Sequence, residues 1–138
     1  MASLFTKIIQ RKLPSHIVAE TSNCIAFLDI NPLVIGHTLV VPKQEVDSFF
    51  DLKDQDLATL MLFAKKVAYS IQKVVPCKRV GIAVIGLEVP HAHVHLIPLN
   101  TIEEINFTQP KIFQTSEELE ELAKDIKNAS STSQITEE

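Results

Sequence analysis

The sequence predicts an α+β fold in which helices pack on an antiparallel sheet, and three observations carry that expectation. Apolar runs of strand length recur at 17–21, 25–30, 37–42, 80–85 and 91–99. The segment 54–75 repeats its apolar residues at helical spacing. Helices interrupt the strand order only twice, too rarely for the strict alternation of a doubly wound parallel sheet.

The 138 residues suit one domain with a real core. That domain is expected over 1–127, followed by a disordered acidic tail over 128–138, which is rich in Ser, Thr and Glu. Residues 4–10 read as a short helix stopped before Pro14, because the residue ahead of a proline avoids the helical region. Between the second and third strands, Asn31-Pro32 favours a turn and Gly36 supplies a permissive backbone, so these strands read as antiparallel neighbours.

The long helix places Leu57, Leu60, Met61, Ala64, Val67, Ala68 and Ile71 on one face. Asp54 or Asp56 is expected to cap it, Pro76 to end it, and Lys65, Lys66 and Lys73 to lie on the solvated side. Residues 86–90 join the last two strands tightly, and 100–114 reads as irregular. Thr115-Ser-Glu-Glu118 matches a capping box, opening a C-terminal helix through Leu119, Leu122, Ala123 and Ile126.

Composition excludes several function classes. No apolar run of 18 residues is present, and the first residues lack the basic start and apolar middle of a signal peptide. Cys24 and Cys77 stand apart from any metal-binding spacing and suit free thiols in a reducing compartment. These features point to a soluble cytoplasmic protein with no membrane partner. The net charge is −4: residues 1–114 carry 11 basic and 10 acidic groups, and the acidic excess falls in 115–138. Without a basic stripe, binding to long nucleic acid is not expected, while a small anionic ligand stays open.

The chemistry concentrates in Pro90-His-Ala-His-Val-His-Leu-Ile-Pro98, which holds three of the five histidines. On a strand, His91, His93 and His95 share one face and Ala92, Val94 and Leu96 the other. Same-face neighbours lie about 7 Å apart, so the imidazoles can converge on one target. A solvated face that merely carries histidine is the bland alternative. A metal site is another, with His37 or Glu88 completing the ligand set. The third is covalent catalysis at phosphorus, in which the central imidazole attacks and its neighbours donate hydrogen bonds to the phosphoryl oxygens and leaving group. That route requires no metal and no cofactor.

His91-Ala-His93-Val-His95-Leu-Ile97 resembles the signature of the histidine triad proteins, in which histidines alternate with apolar residues. Phe27-Leu-Asp29-Ile-Asn-Pro32 and Gly36-His37-Thr-Leu-Val-Val-Pro-Lys43 resemble the family's ribose-contacting strand and its fourth histidine, and Phe5-Thr-Lys-Ile-Ile9 its common start. The resemblance covers residues 3–99. It implies a five-stranded antiparallel sheet with a long central helix and a C-terminal helix, paired into a homodimer. It also implies cleavage of substrates of the form NMP-X, phosphoramidates or phosphoanhydrides carrying an AMP or GMP moiety, through a nucleotidyl intermediate on His93. Alternatives are hydrolysis of dinucleoside polyphosphates and non-catalytic nucleotide binding.

By the same resemblance, His95 touches phosphate or leaving group, while His91 and His37 orient the others and fix the tautomer His93 needs. Asp29 would accept from the ribose hydroxyls. Phe5, Ile8, Phe27 and Ile30 would line the base pocket, with Glu88 and Val89 beside the nucleotide. Two departures stand out. Many relatives hold a structural zinc through an early Cys-x-x-Cys pair and a histidine, positions taken here by Ser3, Thr6 and Glu45, so no such zinc is expected. Relatives also place Gly-Gln and a small or polar residue ahead of the triad, where this chain has Gly86-Leu87-Glu88, which implies weak turnover or an unusual leaving group.

Overall fold

Five strands form one antiparallel sheet in the order β1-β2-β3-β5-β4. The strands are β1 (Ile17–Glu20), β2 (Cys24–Leu28), β3 (Thr38–Pro42), β4 (Arg79–Ala83) and β5 (Val94–Leu99), with helices α1 (Leu4–Ile9), α2 (Asp54–Val74) and α3 (Ser116–Ser131). The structure is a computed structural model and describes residues 2–131. No helix among the described residues is long and apolar enough to cross a membrane. Cys24 is buried, Cys77 half-buried, and both are free thiols.

The two faces of the sheet divide the molecule. On one face Val18, Ala26, Leu28, Val40, Val94 and Leu96 pack with Ala92 against Leu60, Ala64, Val67 and Ile71 of α2 and Leu119, Ala123 and Ile126 of α3. Burying Val94 or Leu96 completely contributes about 1.5–3 kcal/mol each, so the apolar half of the His/apolar alternation anchors its strand. On the opposite face Ile25, Phe27, Leu39 and Val41 pack against Phe5 and Ile8 of α1. Every residue of β2 and β3 is therefore buried.

Several ends differ from expectation for identifiable reasons. The last strand starts at Val94 rather than His91. The main-chain oxygens of His91 and Pro42 go to imidazole rings instead of a ladder, Pro42 has no N–H to offer, and Ala92 N–H reaches Val46 O at 2.6 Å. α1 ends before proline acts: Lys12 N–H bonds back to Lys7 O, and Arg11 takes a left-handed φ of 63°.

The long helix starts after Lys53 with no side-chain cap. Asp54 and Asp56 sit inside its first turn, where they favour the helix dipole instead. Lys65 and Lys73 are exposed and Lys66 is half-buried. The capping box before α3 forms as expected: Glu118 N–H donates to Thr115 Oγ1 at 3.0 Å, and Thr115 N–H to Glu118 Oε1 at 2.8 Å. Helix α3 then continues to Ser131, into the segment expected as tail, and residues 132–138 lie outside the described residues. The segment expected as irregular contains a 3-10 turn at Ile102–Ile105 with its own capping box, Thr101 and Glu104.

Candidate active site

His37, His93 and His95 meet in a cavity of about 550 Å³ on the α1 side of the sheet. His95 comes from β5, opposite Leu39 in the ladder, and His93 from the extended segment just before it. His37 stands one residue before β3, after Gly36. Gly36 has φ of 95°, and a Cβ there would meet Pro98 and Val75 at 3.0 Å, so a glycine is required for the turn that delivers His37.

The hydrogen bonds decide where each ring carries its proton. His93 Nδ1 lies 2.7 Å from the main-chain oxygen of His91. A carbonyl can only accept, so the proton is on Nδ1 and the Nε2 lone pair of neutral His93 is free. His37 has the opposite arrangement: Leu33 N–H donates to its Nδ1 at 3.0 Å, which places its proton on Nε2. That N–H faces His95 Nδ1 at 3.0 Å and donates to it. Neutral His95 therefore carries its own proton on Nε2. One backbone carbonyl and one backbone amide thus set a bare nitrogen on His93 beside an N–H on His95, with ring centroids 4.9 Å apart.

Burial keeps these rings neutral. Desolvation lowers His37 from the usual 6.5 to about 4. His95 falls to about 3, by desolvation first and then by the neighbouring His37 and His93. His93 is lowered mainly by desolvation, against the opposing effects of its bond to His91 and the charge of Glu88.

His91 does not converge with the others. Its ring is fully buried behind the cavity, donating from Nε2 to Pro42 O at 2.8 Å and accepting at Nδ1 from Ser3 Oγ at 2.7 Å. The tautomer of His93 is fixed by the main chain of His91, not by its imidazole. His37 acts on His95 rather than on His93. Ser3 also donates its N–H to Glu45 at 3.0 Å, and Thr6 Oγ1 donates to the same oxygen at 2.5 Å. These bonds hold the Glu45 carboxyl below its usual range. Two hydroxyls and a carboxylate, already bonded to one another and to His91, are a poor donor set for a structural zinc, as the sequence led one to expect of Ser3, Thr6 and Glu45.

Asp29, His37 and His95 bring ligand atoms within 4.8 Å of one another, which raises the question of a metal. The Nε2 of His37 would be its ligand atom, yet Leu33 N–H at Nδ1 keeps the proton on Nε2. A ligating histidine is normally the reverse, donating through its second nitrogen.

Around the histidines, the expected nucleotide-binding residues line the same cavity: Phe5, Ile8, Phe27, Asp29, Ile30, Glu88 and Val89. Phe5 stands edge-on to His93 with centroids 4.9 Å apart and to Phe27 at 5.6 Å. Asp29 takes Asn31 N–H on Oδ1 at 2.8 Å, leaving Oδ2 directed toward His37 at 3.6 Å. Its carboxyl is raised by burial, against that backbone bond and the charge of Lys111. Ile30 and Leu87 are exposed at the cavity's rim, and Gly86 has φ of 76° in open space.

Among the lining residues that the sequence reading did not offer as site candidates, two bear on the histidines. Phe107 packs edge-on to His95 and His37 with centroids 4.7 and 5.9 Å away, and Lys111 follows four residues later. Both lie in a segment without periodicity, where a lone aromatic and a lone lysine give no signal.

A family model for the HIT domain matches residues 10–102. An uncharacterised HIT-like protein of Methanocaldococcus jannaschii is 35% identical over 130 residues, covering 90% of this chain and 98% of its own. An adenosine 5'-monophosphoramidase of Schizosaccharomyces pombe is 34% identical over 100 residues, covering 71% and 74%. A hypothetical histidine triad nucleotide-binding protein of Sulfolobus tokodaii superposes with a TM-score of 0.84 at 29% identity, covering 94% of this chain and 93% of its own. With the triad, the fourth histidine and the five-stranded sheet in place, the chain belongs to the HIT family.

Proposed function

We propose that the protein is a nucleotide hydrolase that cleaves NMP-X substrates through a nucleotidyl intermediate on His93. The observation that carries this reading is the opposite proton placement on His93 and His95 within one cavity. The free Nε2 of His93 attacks phosphorus, the N–P bond forms and the P–X bond breaks. His95 Nε2–H donates a hydrogen bond to the departing atom or a phosphoryl oxygen and stabilises charge as it develops. Water then attacks the phosphorus, releasing NMP and restoring His93, while its remaining proton ends on X. Atoms balance as NMP-X plus water giving NMP plus HX, with no metal or cofactor.

The cavity size suits one nucleoside monophosphate. Its apolar end, with Phe5, Ile8, Phe27, Ile30 and Val89, offers faces for a purine, AMP or GMP. Asp29 Oδ2 accepts from a ribose hydroxyl. His91 and His37 act as positioning residues, through a carbonyl and a ring N–H. The adenosine 5'-monophosphoramidase of Schizosaccharomyces pombe, to which the chain is similar, supports phosphoramidates as substrates. The homodimer belongs to the same reading: β4 lies at the sheet's edge, and Ile82, Val84 and Ile85 in and beyond it are exposed. The cellular location consistent with two free thiols is the cytoplasm.

The test is steady-state release of AMP from adenosine 5'-phosphoramidate by the wild type and His93→Ala. Turnover by the wild type with at least a thousand-fold loss in the variant supports the reading. Failure to hydrolyse any nucleotide of the NMP-X form removes it.

A further inference from the structure

The cavity meets an anionic substrate with a shortage of positive charge. Its histidines are neutral, and Asp29 and Glu88 add two carboxylates to its lining. Among the described residues, Lys111 is the only lysine or arginine that lines it. Its Nζ is held 3.0 Å from the carbonyl of Phe107, whose ring covers His95 and His37. The next residue, Ile112, ties the segment down through an N–H bond to Pro32 O at 2.9 Å. The ammonium therefore stands on the His37–His95 side of the cavity, and its charge acts on His37 and Asp29. Phe5, beside His93, marks the other side.

We propose that Lys111 forms an anion-binding subsite for the leaving group, so that the enzyme favours NMP-X substrates whose X is a phosphate chain over those whose X is an uncharged amine. The proposal rests on the hydrolase reading above and assigns the leaving-group side of that site. In displacement at phosphorus the entering nitrogen and departing atom stand roughly in line, so X departs on the side away from His93. There the segment 107–111 supplies an ammonium, a compact point charge suited to phosphate oxygens. His95 fits such a leaving group as well. A neutral imidazole hydrogen-bonds a departing phosphate oxygen without surrendering a proton, whereas an amine needs full protonation to leave as a good group.

Lys111→Met keeps the stem and removes the charge; Lys111→Arg keeps the charge. Two measurements on the full chain test the subsite: kcat/KM for diadenosine triphosphate against adenosine 5'-phosphoramidate, and Kd for ADP against AMP. Lys111→Met should lower kcat/KM for the triphosphate about ten-fold more than for the phosphoramidate, the size of one charge-assisted hydrogen bond. It should also shrink the preference for ADP over AMP by a similar factor, and Lys111→Arg should retain both. Equal losses on the two substrates, or an ADP preference unchanged by Lys111→Met, overturn the subsite. If the wild type hydrolyses neither substrate but its ADP preference collapses in Lys111→Met, the subsite stands and the hydrolase reading falls. If it hydrolyses the phosphoramidate yet binds ADP no better than AMP, the hydrolase reading stands and the subsite falls.

Discussion

The Nδ1–H of His93 donates to the main-chain oxygen of His91 at 2.7 Å. Because the acceptor is backbone, no change of the His91 side chain removes it directly, and the orientation of the His93 ring is tied to the chain path ahead of β5. That path is in turn held by the His91 ring, clasped between Ser3 and Pro42.

The four site histidines should therefore show unequal tautomers. Long-range 15N–1H correlation spectra at pH 7 are expected to place the proton of His93 on Nδ1 and those of His37, His91 and His95 on Nε2. In His37→Phe, His95 loses its Nδ1 donor and should become a mixture of tautomers, while His93 stays Nδ1-protonated.

Stability should decline in acid through the same rings. His37 and His95 titrate near 4 and 3 when folded but near 6.5 when unfolded. Below 6.5 the unfolded chain binds protons that the folded one refuses, so stability is full above that pH and falls as pH drops toward 4. Urea midpoints measured from pH 7 to 4 check this, and His37→Phe should flatten the decline.

Ser3→Ala removes the hydroxyl 2.7 Å from the buried Nδ1 of His91 and leaves that nitrogen only Thr6 Oγ1 at 3.4 Å, a hydroxyl already donating to Glu45. The expected cost is about 1–3 kcal/mol in urea unfolding. Since α1 also carries Phe5 against His93, a fall in kcat larger than any change in KM should accompany it. Ser3→Thr, which keeps a hydroxyl, should recover part of both.

The sheet, the long helix and the shared face of His93 and His95 were legible in the sequence because each follows a period: two for the histidines and for Val94 and Leu96 beneath them, 3.6 for Leu60, Ala64, Val67 and Ile71. The relay from Leu33 through His37 to His95 was not legible. It depends on a backbone amide delivered by the turn at Gly36, and no side-chain pattern encodes the direction of an N–H. The retreat of β5 to Val94 escaped for a related reason, since the acceptors that would have extended it went to imidazoles. Phe107 and Lys111 come from an aperiodic segment placed by contacts distant in sequence, with Pro32 and with the rings of His37 and His95.

The nucleotidyl intermediate on His93 is the central claim, and rapid-quench intact mass spectrometry tests it most directly. Mixed with adenosine 5'-phosphoramidate or diadenosine triphosphate and quenched within the first turnover, the protein should gain one adenylyl group, mapped to His93 by fragmentation and absent in His93→Ala. Turnover without any such adduct, or an adduct that persists in His93→Ala, would contradict the account.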